Sequence, residues 1–409
     1  MARPDVALTP QERNAIRALG LIYVSRQLGL YMVLPVLSPY VSRLPGATPL
    51  LIGLSLGIYG AGQAFLQVPF GYLSDRIGRR RAINIGLILF AIGSLICAIS
   101  RNAWGLVLGR ALQGTGAFSS VILALIADVT REEVRAQAMG RMGAWIGLTI
   151  GLSVVIGPAI AGLFGVPLLF MITAIGAGLS IAYLNVAVPN PKPVSHEERL
   201  RPADLLDLVR HPALLMVDIG IFLLHMTVTV LFVVLPFAFE RILGTGRAWQ
   251  ALVPAIALGL ATMYFVSRYA DRHGKAGLFF YIGAALLAIS CLAFTFMGKE
   301  PIATLVGLLL FAVAIATLEP ILATLLSRYS SGPGRGTASG VYSMAQFVGA
   351  FAGGVLGGAF LRREGTMFFI LFVVTTIWIV VLLRIAPVRR SGRPAPPAQD
   401  ADIGSPQFP

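Results

Sequence analysis

Apolar segments of about twenty residues return twelve times along this chain, with cores near 16–40, 48–72, 82–100, 103–126, 137–163, 166–187, 212–239, 248–267, 277–296, 302–325, 337–360 and 367–387. A helix needs about 20 such residues to cross a hydrocarbon layer of roughly 30 Å. Inside that layer each backbone polar group must be satisfied within the protein, which favours α-helices for segments of this length. The sequence therefore predicts an all-α membrane protein with twelve transmembrane helices. With 56% hydrophobic and only 12% charged residues among 409, a water-soluble domain could not bury so much apolar chain. The first segment is too long for a signal peptide and leads into further spans without a cleavage site, so it is expected in the mature protein.

Charge orients these spans. A net charge of +14 would suit nucleic acid if it were clustered, but the basic residues are spread through short loops, and no nucleic-acid partner is expected. Assigned to alternate sides, 23 of the 32 Lys and Arg share the side of both termini. The other side carries seven: Arg43, Arg101, Arg241, Arg247, Lys299, Arg362 and Arg363. This positive-inside bias predicts cytoplasmic termini in a bacterial inner membrane. Arg26 and Arg110 fall within spans. So do Cys97 and Cys291, which suggest neither a disulfide framework nor a metal cluster; no metal or cofactor is expected.

Polar stretches divide the chain into a cytoplasmic tail (1–15), a six-helix bundle (16–187), a linker (188–211), a second six-helix bundle (212–387) and a tail rich in Pro, Gly and Ser (388–409). The bundles echo each other. Asp75-Arg76-Ile77-Gly78-Arg79 returns as Asp271-Arg272-His273-Gly274-Lys275, and Arg135-x4-Gly140 returns as Arg335-x4-Gly340. Two echoes in nearly one register indicate similar halves, a plan that places a substrate site between them.

The densest charge lies in GYLSDRIGRRR, between spans two and three. Gly71 permits close helix approach, Gly78 a tight turn, and Asp75 can pair with an arginine or accept from a helix start. Asp128 offers a second acid at the same depth, with Arg79 and Arg135 as available partners. Together they suggest a reversible latch at the cytoplasmic edge.

That loop resembles the signature loop of the major facilitator superfamily through Gly71, Asp75, Arg76, Gly78, Arg79 and Arg80. RALQGTG resembles the family's Arg motif in span four, through Arg110, Gln113, Gly114 and Gly116. GLSVVIGPAIAG resembles the antiporter-type motif of span five, through Gly151, Gly157, Pro158 and Gly162; LGLYMVLPVLSP resembles the drug:proton antiporter subgroup. Within it, MVLPVL, QVPFG and LGRALQG are similar to YajR-type transporters, whose soluble C-terminal domain the short tail here would not accommodate. The resemblance implies two pseudo-symmetric six-helix bundles and a coupling role for Arg110. In the second-half loop Ser267 stands for the leading Gly, and span one carries Arg26 where many proton-coupled members have an acid.

Ionisable groups at membrane depth face a partner or a cavity by default. Glu319, followed by Pro320, can carry a proton: low dielectric favours a neutral carboxyl and a nearby arginine favours the anion, so alternating environments would load and release it. A structural pairing is the alternative. Arg110 suits coupling, an anionic substrate or a helix tie. Arg26, on one face with Tyr23, suits cavity lining; His225 suits a proton relay or an interhelical bond; Asp218 suits a cytoplasmic gate paired with a loop arginine. Tyr59, Gln63 and Gln67 recur every four residues, and Tyr342 and Gln346 repeat the stripe, for a substrate cavity or bonds between helices. With the gate set of Asp75, Asp128, Arg135, Asp218, Asp271 and Arg272, these are the candidate site residues.

The expected function is alternating-access export of small amphipathic or cationic organic compounds in exchange for protons, by a monomer in the lipid bilayer. Symport or uniport of a sugar or organic anion is the alternative. No GxxxxGK[ST], HExxH or GxSxG occurs, so neither ATP drive nor enzymatic chemistry is expected.

Overall fold

The computed structural model describes residues 8–188, 211–244, 247–297, 300–330 and 335–385. Linker residues 189–210, the tail 388–409 and residues 1–7 lie outside the described residues. In chain order the helices are α1 (Pro10–Ser42), α2 (Pro49–Ile77), α3 (Arg79–Ile99), α4 (Ala103–Thr115), α5 (Ser119–Asp128), α6 (Glu132–Phe164), α7 (Val166–Ala187), α8 (Pro212–Leu243), α9 (Trp249–His273), α10 (Ala276–Phe294), α11 (Pro301–Tyr329), α12 (Arg335–Ala359) and α13 (Glu364–Ile385). Because α4 and α5 share one crossing, twelve helical segments among the described residues are long and apolar enough to span a bilayer.

Two elements differ from expectation. Helix α1 starts at Pro10, inside the stretch read as tail. Thr9 accepts from the Glu12 backbone N–H, and Glu12 reaches back to the Thr9 N–H at 2.8 Å, a capping box with Pro at the first helical position. The cap, not the apolar run, sets the start. The fourth span, expected to be continuous over 103–126, is interrupted between α4 and α5 at Gly116–Phe118. The Gln63 side-chain amide donates to the Gly114 carbonyl at 2.9 Å and to the Gly116 carbonyl at 3.3 Å. Irregular backbone is tolerated at this depth because protein groups satisfy it.

In the first half α1 packs on α6 and α7, and α3 on α4 and α7; in the second, α11 packs on α9 and α10, and α10 on α13. The halves meet chiefly through α2 and α12, with α12 also lying along α8. Gly53, Gly57 and Gly60 of α2 face Phe347, Phe351, Gly354 and Gly358 of α12, backbone against backbone. A Cβ at Gly57 would stand 2.8 Å from the Phe351 carbonyl oxygen, so only glycine lets the helices come this close. Ser38 of α1 adds a hydrogen bond to the Phe232 carbonyl of α8 at 3.1 Å. These contacts all lie toward the face opposite the N-terminus. Toward the other face the halves part, leaving a cleft of about 590 Å³ between α6 and α9, lined by Gly147, Leu148, Leu260, Met263 and Tyr264.

Gly78 makes the one-residue turn between α2 and α3 with φ +93°, a conformation side-chain-bearing residues rarely adopt. Gly274, its counterpart in the second half, has φ +64° at the end of α9.

Candidate functional site

Arg26 and Arg110 converge on one tyrosine. The Tyr59 hydroxyl accepts from Arg26 Nη2, while the Arg110 guanidinium carbon stands 5.0 Å from the centre of the Tyr59 ring. Arg26 also lies over Phe118 at 5.2 Å and Phe90 at 5.8 Å, and its Nη1 donates to Gln27. Arg110 donates to the Ser55 carbonyl at 3.0 Å and to Gln113 Oε1 at 2.8 Å; Gln113 in turn donates to Ser94 Oγ at 2.7 Å. The two arginines are 4% and 1% exposed, so both are enclosed by the first half's own packing. Among the described residues neither has a carboxylate partner; aromatic faces and carbonyl dipoles hold the charges instead. Arg26 Nε and Arg110 Nη2 have no hydrogen-bond partner among the described residues.

The stripe on α2 separates in use. Tyr59 serves the arginines, fully buried Gln63 caps the break in span four, and Gln67 is buried with its Oε1 unpartnered. Tyr23 lies beside Arg26, half-buried on α1.

The second half supplies the acids and the imidazole. Glu319, half-buried on α11, makes no ion pair among the described residues, and its buried Oε2 has no protein partner. Tyr31 of α1 and Tyr342 of α12 lie within its electrostatic reach, one from each half. His225 Nε2 and Gln346 Nε2 stand 2.7 Å apart. An amide nitrogen can only donate here, which puts the imidazole proton on Nδ1; with the amide turned over, Nε2–H donates to the amide oxygen. Gly349 and Gly353 of α12, pressed on the Phe222 and Met226 carbonyls of α8, fix that approach. Asp218 is buried on α8 with Oδ1 unpartnered, and the loop arginine expected to pair with it is not found among the described residues.

At the face carrying the N-terminus, Arg79 is the centre of the latch. Its Nη1 lies 2.6 Å from Asp75 Oδ1 and donates to Ser74 Oγ at 2.6 Å, while its Nε reaches Asp128 Oδ2 at 3.1 Å. Gly71 is spanned by the Ser74 hydroxyl, which donates to the Gly71 carbonyl. Arg80 donates to the side chain and carbonyl of Asn185, Arg76 stacks over Tyr72, and Arg135 donates to the Ala127 carbonyl. All these bonds lie within the first half. In the second, Arg272 is exposed, and the Asp271 side chain lies outside the described residues.

The glycines of α6 have distinct neighbours. Gly157, ahead of Pro158, is pressed on the Met32 carbonyl of α1; Gly151 faces Ile256 and Leu260 across the halves; Gly162 has open space beside it.

This sequence matches the Major Facilitator Superfamily profile over residues 19–354 and again over 217–406. The chain belongs to the Major Facilitator Superfamily. Within the superfamily it is 37% identical over 357 residues to the inner membrane transport protein YajR of Escherichia coli (strain K12), covering 87% of this chain and 79% of that protein. It is 26% identical to the multidrug resistance protein MdtH of Aeromonas salmonicida (strain A449), covering 87% and 90%. The crystal structure of a bacterial homologue of the human lysosomal transporter Spinster, inward-facing and occupied, superposes with a TM-score of 0.73 at 16% identity, over 92% of this chain and 98% of that one. A Major Facilitator Superfamily protein is a secondary active transporter that moves a small molecule across the bilayer, and this one is a multi-pass member rather than an enzyme.

One interaction of this superfamily member escapes a reading of the sequence. Glu12 accepts from the Arg131 backbone N–H at 3.0 Å and from its guanidinium at 2.9 and 3.0 Å, tying the start of α1 to the loop before α6. This contact strengthens the proton affinity of the Arg131 guanidinium. The Thr9-x-x-Glu12 capping pattern was available as a signal for the acid; no local pattern announces a partner 119 positions away.

Proposed function

We propose that this transporter is a proton-coupled antiporter exporting small amphipathic or cationic organic compounds, with Glu319 alternately holding a proton and a substrate cation. The observation that carries this is the unpartnered Glu319 Oε2, a buried carboxyl oxygen with no cation held against it, on a helix loosened by Pro320. A carboxyl in structural service would have its oxygens occupied. His225, bonded to Gln346, is the second proton-exchanging group, and Arg26 and Arg110 place two buried positive charges in the other half. The similarity to MdtH, a multidrug resistance protein, supports export, and the excess of basic residues on the terminal side supports cytoplasmic termini in a bacterial inner membrane.

Alternating access would rock the two bundles about this site, closing now the α2–α12 face and now the α6–α9 cleft. The latch around Arg79 keeps α2, α3 and α5 together as the first half moves.

A second reading, transport of an organic anion, is favoured by Arg26 Nε and Arg110 Nη2, which lack protein partners in a half with no membrane-depth acid among its described residues. The protein reconstituted in liposomes containing a pH-sensitive dye separates the two. Organic cations, neutral lipophiles and organic anions are added in turn, with Glu319→Gln in parallel. Cation-triggered proton flux that is lost in Glu319→Gln is the expected result. Flux triggered by anions alone, or a fully coupled Glu319→Gln, would replace it with the second reading.

A further inference from the structure

Three of the seven basic residues on the face opposite the N-terminus gather around one cavity. Arg241 at the end of α8 and Arg362 and Arg363 before α13 line a space of about 680 Å³ with Glu364, Thr295 and Phe369. On a face otherwise poor in positive charge, such convergence is unexpected, because arginines there oppose the bias that orients the chain.

The charges do not cancel. Glu364, the cavity's carboxylate, is nearly enclosed and is held by Arg241, whose Nη2 lies 2.9 Å from Oε2 and 3.1 Å from Oε1. Arg362 and Arg363 are exposed and make no ion pair among the described residues. The walls are fixed: a Cβ at Gly365 would come within 2.5 Å of the Thr295 carbonyl oxygen, so the first turn of α13 sits directly against the end of α10. One side of the cavity is polar and the other is closed by Phe369, a half-exposed ring on the first turns of a membrane-spanning helix.

We propose that this cavity binds the phosphate headgroup of an anionic phospholipid, with Arg362 and Arg363 on the phosphate and an acyl chain descending along Phe369. Planar guanidinium forks match phosphate oxygens; basic pockets among transmembrane helices hold anionic headgroups on the cytoplasmic side of membranes, and the same chemistry is assembled here at the other face. A free phosphate would satisfy the same arginines but gain nothing from the aromatic wall. The proposal is independent of which substrate the central site carries.

The test is native mass spectrometry of the full chain released from nanodiscs of phosphatidylglycerol mixed with phosphatidylcholine, with and without inorganic phosphate. The wild type should retain phosphatidylglycerol, and Arg362→Gln/Arg363→Gln should lose about tenfold in its occupancy. Arg247→Gln, removing a charge from the same face outside the cavity, should match the wild type, which separates a pocket from general surface attraction. Monodisperse elution of the double variant confirms folding, and the single variants Arg362→Gln and Arg363→Gln serve if it fails. Equal retention by wild type and variant, equal loss in Arg247→Gln, or displacement of the lipid by millimolar phosphate would each overturn the assignment.

Discussion

Arg79 of α3 holds Asp128 at the end of α5 at 3.1 Å and Asp75 of α2 at 2.6 Å, so one guanidinium joins three helices at one membrane face. Arg79 and Asp128 are both largely shielded from water, whereas Asp75 is half exposed. The bond to Asp128 should therefore dominate. Arg79→Ala and Asp128→Asn are each expected to lower stability by about 1–3 kcal/mol, and Asp75→Asn by less. Thermal unfolding in detergent, with the double variant closing a cycle, measures the coupling.

Gln63→Leu keeps the volume but removes both donors from the Gly114 and Gly116 carbonyls. The Gly116 carbonyl keeps the Phe118 N–H, but the Gly114 carbonyl loses its side-chain donor in an apolar layer, which should cost roughly 1–3 kcal/mol. Amide exchange should rise at residues 116–118 before it rises elsewhere. Unchanged exchange there would mean that the interruption needs no support from α2.

Tyr59→Phe separates the two arginines. The ring beneath Arg110 remains, but the hydroxyl that accepts from Arg26 is gone. If the hydroxyl matters through Arg26, Tyr59→Phe should cost about 1–3 kcal/mol in the wild type and almost nothing in an Arg26→Gln background. Equal costs in both backgrounds would place its effect elsewhere.

Gly57→Val tests the closed face between the halves. Its Cβ would meet the Phe351 carbonyl oxygen at 2.8 Å and Gly354 Cα at 3.0 Å, backbone atoms that cannot turn aside. Spin labels at the adjoining ends of α2 and α12 should move apart, and transport should fall by about tenfold or more, since steric overlap of this kind costs about 1–3 kcal/mol. Gly178→Ala, where no atom lies within 4 Å of the added carbon, should leave both unchanged.

The span count and the two-half plan were legible because apolar length and repeated loop chemistry are local properties. So was the turn at Gly78, and so was the place of Glu319 inside a helix long and apolar enough to span a bilayer. Pairing was less accessible. The stripe Tyr59, Gln63, Gln67 is a correct statement of helical spacing, yet its members serve an arginine cluster and a helix break, which spacing along one helix does not specify. Among the described residues no loop arginine pairs with Asp218, because depth in a span says nothing of what the neighbouring helix presents. The Glu12–Arg131 bond joins α1 to the loop before α6, and only the packed bundle brings the two together.

The interruption at Gly116–Phe118 divides one crossing into two parts with separate fastenings. On its far side α4 is bound to α2 and α3 through Ser55, Gln113 and Ser94. On its near side α5 is bound through Asp128 to the start of α3. Both segments are therefore anchored to α3, one near each end of it, and Gln63 of α2 clamps the break between them. The crossing is two short rods fastened separately, so the depth of its arginine and the position of its latch acid are set by different side chains rather than by one continuous helix.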